Sequence, residues 1–180
     1  MAIFRKLPGW GQIIPVYAVI VTMVYGWTII RFFWKVPSWL LFMSVGDLLS
    51  ALSFTLTANL IESLLILVGL LFLCLLLPLK WFRDAFIVHG SLISGLSLGY
   101  LMLIADHYRS KTDVPTEVFA WAPLVVIVIA FVLILFNRLS PLRKLVEDLA
   151  DRLTIFLYLS VPLSAAALAG VLIEFSLRVF

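Results

Sequence analysis

The chain has 180 residues, of which 64% are hydrophobic and only 13% charged, and its mean hydropathy is +1.18. Soluble domains carry about 25% charged residues, and a soluble chain this short leaves too much surface in water to hide so much apolar area. The net charge of +3 comes without a Lys/Arg-rich run, so nucleic acid is not an expected partner, and the single cysteine, Cys74, makes neither an intrachain disulfide nor a metal site.

A helix needs about 20 apolar residues to cross the hydrocarbon core. The first candidate runs from Ile13 to Trp34. It follows Arg5 and Lys6 but ends in charge without an Ala-x-Ala cleavage pattern, so it reads as a retained span rather than a signal peptide. Residues 36–57 come next, apolar but broken by Pro37, Gly46 and Asp47 and rich in Ser and Thr. This pattern predicts an interfacial or partly re-entrant helix over about 38–57, with Ser44-x-x-Asp47 as its cap. The second span is expected over 60–79, opened by an Asn59-x-x-Glu62 capping box and containing LLILVGLLFLCLLLPL. The third is expected over 85–105 and the fourth over about 118–136.

Ser140 reads as an N-cap with Pro141 at the first helical position. Leu142, Leu145, Val146, Leu149 and Leu153 then share one face. Arg143/Glu147, Lys144/Asp148 and Asp148/Arg152 are opposite charges on the other. The expectation is an amphipathic helix over about 140–152 on the membrane surface, leading into a fifth span over 154–175. The fold class is therefore an all-α integral membrane protein. It is a single domain of five transmembrane helices plus an outer interfacial and an inner amphipathic helix.

Orientation follows the distribution of Lys and Arg. With five spans and a cytoplasmic N-terminus, Arg5, Lys6, Lys80, Arg83, Arg138, Arg143, Lys144 and Arg152 lie inside, while Arg31, Lys35, Arg109, Lys111 and Arg178 lie outside. A sixth span over 36–57 reverses that bias, so five spans with the C-terminus outside are preferred. Trp10 and Trp81 then fall at the inner interface, and Trp34, Trp39, Trp121 and Tyr108 at the outer one. No internal repeat is visible, and an odd number of spans speaks against two equal inverted halves.

Close packing of small residues drives helix association in lipid. Ser91, Gly95 and Gly99 form such a row on the third span; Ser160 and Ser164, with a neighbouring row of Pro162, Ala166 and Gly170, do so on the fifth. These spans are expected at the centre, in contact with each other, with the second and fourth facing lipid. The rows pack within the chain or seat a partner's helix.

Chemical motifs are few. Gly95-Leu96-Ser97-Leu98-Gly99 matches the hydrolase pattern G-x-S-x-G but falls within a span instead of on a strand-to-helix turn. His89 lies about 12 Å and His107 about 15 Å from Ser97 along a straight helix, too far for a base that must come within hydrogen-bond reach. The two histidines are about 27 Å apart by rise and cannot both ligate one haem. On the outer side, Asp47, Glu62, Asp106, His107 and Glu174 fall at one level, where Glu62, Asp106 and His107 are the candidates for a cation or proton site. Phosphate loops, paired-cysteine zinc motifs and HExxH are missing, and no cofactor is expected.

By elimination, the expected role is that of an accessory, assembly or scaffold subunit acting through helix–helix contacts, with the bilayer and a membrane protein or a second copy as partners. The alternatives are an oligomeric transporter or channel, and a membrane enzyme acting on a lipid-linked substrate at the outer face.

Overall fold

The computed structural model describes residues 7–76, 85–108 and 116–179, with the backbone alone at 116–118 and 177–179. Arg5, Lys6, Lys80, Trp81, Arg83, Arg109, Lys111 and the end of the second predicted span lie outside the described residues, as does the Arg178 side chain. Among the described residues six helices follow one another: α1 Trp10–Trp39, α2 Val45–Leu76, α3 Phe86–His107, α4 Thr116–Arg138, α5 Ser140–Leu153 and α6 Ile155–Val179. Strands are absent among the described residues. Among the described residues five helices are long and apolar enough to cross a membrane, the last taken with the amphipathic segment before it.

The region expected to form a separate interfacial helix does not do so. Its first residues finish α1, and from Val45 onward it is the first half of the continuous helix α2. The Ser44 and Asp47 cap forms: Asp47 Oδ2 accepts from the Ser44 amide and hydroxyl at 3.0 and 2.7 Å, and the Asp47 amide donates to Ser44 Oγ at 3.2 Å. Beyond it the polar residues fold back on their own helix. Thr55 donates to the Ala51 carbonyl at 2.7 Å and Thr57 to that of Ser53 at 2.9 Å. A hydroxyl satisfied in this way needs neither a loop nor water. Asn59 therefore caps nothing; it lies inside α2 and is 4% exposed. At 1.5 Å per residue α2 is about 48 Å long, well beyond the roughly 30 Å of a hydrocarbon core. A bilayer accommodates such a helix by tilt or by letting one end emerge.

The centre of the molecule is α1. Val16, Ala18, Ile20, Val21, Val24 and Tyr25 are all buried, and α2, α3, α5 and α6 pack around it. Its Pro15 falls in the second turn of the helix, and the carbonyl it leaves without a helical donor belongs to Gly11, an exposed residue. The second helix packs on α1 and α6, and α3 packs on α1, α4 and α5. The third and fifth spans, expected to pack on each other, have their main contacts elsewhere, α3 on α1 and α6 on α2. Gly90 lets α3 approach α1 so closely that a Cβ there would lie 3.0 Å from Val16 Cγ1.

Burial of α4 is minimal; it touches α3 and α5 and exposes Phe119, Val126, Ile127 and Phe131. α5 begins at Ser140, with Leu139 in the N-cap position and no side-chain cap, so Ser140 is the first helical residue instead of the cap. Of the three expected charge pairs, Arg143–Glu147 forms, at 2.9 Å. Ala150 is buried in the bundle while Leu145 and Leu149 stay exposed. At Thr154 the chain passes directly from α5 into α6.

Candidate functional site

Side-chain hydrogen bonds from α1 tie it to its neighbours. Ser63 donates to the Leu60 carbonyl, which leaves its oxygen to accept from Tyr17 at 3.3 Å. In the same way Ser164 donates to the Ser160 carbonyl and accepts from Tyr25 at 2.6 Å. Thr28 donates to Asn59 Oδ1 at 3.1 Å, and the Asn59 amide nitrogen, buried, has no partner among the described residues. Burying such a donor without a partner costs about 1–3 kcal/mol.

Because α2 and α3 both pack on α1, a cleft of about 180 Å³ opens between them. Its floor is Val24, Trp27 and Thr28 of α1, one wall is Glu62 of α2, and the other includes Leu98, Met102 and Ala105 of α3. One turn along α1 from Trp27, the Arg31 guanidinium reaches Asp106 Oδ1 at 2.5 Å and lies over the Trp27 ring, 4.3 Å from its centroid. Asp106 is 61% and Arg31 20% exposed.

The three residues expected to form a cation or proton site are thus divided. Glu62 lines the α2–α3 cleft. Asp106 is engaged by Arg31. His107 is one position further round the helix, about 100° away, and lines a different cavity of about 520 Å³ between α3 and α4 with Tyr100, Tyr108 and Trp121. Among the described residues no three His, Cys, Asp or Glu side chains are gathered to hold a metal. Asp47 is spent on its cap.

The predicted packing residues also separate. Ser91, Ser160 and Ser164 are buried. Gly95 and Gly99 are half-buried, Ala166 and Gly170 are exposed, and a Cβ built on any of these three glycines meets nothing within 4 Å. The buried face of α3 runs instead through Gly90, Ser94 and Leu98, and that of α6 through Ala167. Ser97 lies inside the helix α3, as its setting in the sequence implied.

No family model, curated protein or solved structure matches this chain. Its chemistry has to be read from its own side chains.

Sequence reasoning missed the three bonds from α1. The signal was present: Tyr17, Tyr25 and Thr28 are polar groups inside an apolar run, and each needs a partner when water is absent.

Proposed function

We propose that the chain is a five-span membrane protein, N-terminus in the cytoplasm and C-terminus on the opposite side, that serves as an accessory or assembly subunit by seating a partner's transmembrane helix. The observation that supports this is an unfilled groove between α1 and α6. It encloses about 320 Å³ and is lined by Thr22, Gly26, Ile29, Phe156, Leu159 and Leu163. Thr22 and Gly26 are one turn apart, and nothing approaches within 4 Å of a Cβ placed on Gly26. Small residues on an apolar helix let a second backbone come close, which is the main source of helix association where hydrophobic burial gives none. The partner is another membrane protein or a second copy of this chain.

Extraction in a mild detergent, followed by size measurement and cross-linking from a cysteine placed at Gly26, tests the reading. A complex that Gly26→Leu dissolves, with helicity unchanged, supports it. A wild-type protein that remains a lone monomer at the concentration found in its membrane contradicts it.

A further inference from the structure

The α2–α3 cleft holds a charge that the helix-packing role does not use. Glu62 stands on its wall, eighteenth of the 32 residues of α2, with apolar positions Ile61, Leu64 and Leu65 exposed around it. On the bilayer reading the cleft opens toward lipid. A carboxylate at such a place is costly and is retained where something pairs with it.

Among the described residues, the local charges leave one negative charge over. Arg31 is balanced by Asp106. Lys35 is directed along α1, its Nζ 5.6 Å from the Trp39 ring centroid. His107 belongs to the other cavity. Among the described residues Glu62 is then the one ionisable side chain lining the cleft, and the occupant it would pair with is a cation.

The lining decides which kind. A hard metal ion takes about six or more oxygen ligands. Among the lining residues the side-chain oxygens are those of Glu62 and of Thr28, whose proton is committed to Asn59. All else is indole, thioether and aliphatic carbon. A carboxylate set beside one indole, which already carries Arg31, and otherwise apolar walls matches an organic ammonium group, whose charge the carboxylate meets while the walls cover its carbons. The position fits as well. Ala105 and Leu98 lie two and nine residues from the end of α3, so the cleft lies within about 13 Å of that end, where a lipid headgroup can reach.

We infer that the cleft formed by Glu62, Trp27 and Thr28 binds an alkylammonium group, carried by a zwitterionic lipid headgroup or by a free small amine. The inference rests on the bilayer reading for its lipid source, but not on the proposed partner.

Two measurements on the full chain test it. In dodecyl maltoside micelles free of phospholipid, benzyltrimethylammonium is titrated by calorimetry against wild type, Glu62→Gln and Glu62→Asp. Native mass spectrometry then compares retention of phosphatidylcholine and of phosphatidylglycerol with the same acyl chains. Saturable binding of the free cation that weakens about tenfold or more in Glu62→Gln, and survives in Glu62→Asp, supports the site with a free amine as a source. Glu62-dependent retention of phosphatidylcholine over phosphatidylglycerol supports it with the headgroup as a source, and both results together show that the ammonium group itself is recognised. Equal binding by wild type and Glu62→Gln, or no binding of either probe, overturns the inference. Glu62→Gln keeps the side-chain shape, and unchanged helicity and melting confirm that any loss is one of binding. The micelle arm proceeds whether or not the chain crosses a bilayer, so its failure is separable from failure of that reading.

Discussion

The Tyr25 hydroxyl on α1 donates to Ser164 Oγ on α6 at 2.6 Å, tying together residues 139 positions apart. Ser164 is fully buried, and Tyr25 is nearly so. Interhelical hydrogen bonds in membrane proteins contribute about 0.6 kcal/mol on average and up to about 1.7. A double-mutant cycle of Tyr25→Phe and Ser164→Ala is expected to give a coupling energy toward the upper end of that range. Reversible unfolding in mixed micelles measures it, and strict additivity of the two single variants would show the bond to be dispensable.

Thr28 and Asn59 behave differently because Asn59 is only half satisfied. Thr28→Val removes the one partner its amide has and is expected to cost about 1 kcal/mol or more. Asn59→Leu removes the whole buried amide and is expected to cost less. Adding Asn59→Leu to Thr28→Val should recover most of the loss. An Asn59→Leu variant less stable than Thr28→Val contradicts the assignment.

Gly90 and Gly99 lie on the same helix and should respond in opposite ways. A methyl at Gly90 meets Val16, which is fully buried and branched at Cβ, so it has little room to yield. Gly90→Ala is expected to destabilise by about 1–3 kcal/mol, and Val16→Ala in the same chain should relieve it. Gly99→Ala meets nothing and should be neutral or stabilising, since alanine is the better helix former by up to about 1 kcal/mol. Thermal unfolding of the three variants checks the contrast.

The apolar runs announced five long helices, and the alternation of leucines with charged residues announced α5. The amino-acid pattern hid the continuity of α2, because Ser53, Thr55, Thr57 and Asn59 look like loop residues until their bonds to the helix backbone and to Thr28 are drawn. Small-residue rows also misled about the centre. Gly95 and Gly99 suggested a packed face on α3, yet the central helix is α1, whose buried side is built from Val, Ile, Ala and Tyr. For the site, depth along a helix was legible but rotation was not. Asp106 and His107 share a level, yet adjacent positions point about 100° apart, and the partner of Asp106 is Arg31 from another helix. Glu62 was visible as a carboxylate in an apolar stretch; that it stands in a cleft depends on α2 and α3 both packing on α1.

Five crossings put the two termini on opposite sides of a membrane, and six or four would not. Tags at the N- and C-termini, probed with a protease or an impermeant label on sealed vesicles of known orientation, report this directly. The account predicts an N-terminal tag protected on the cytoplasmic side and a C-terminal tag accessible from the other. Both tags on one side would contradict it.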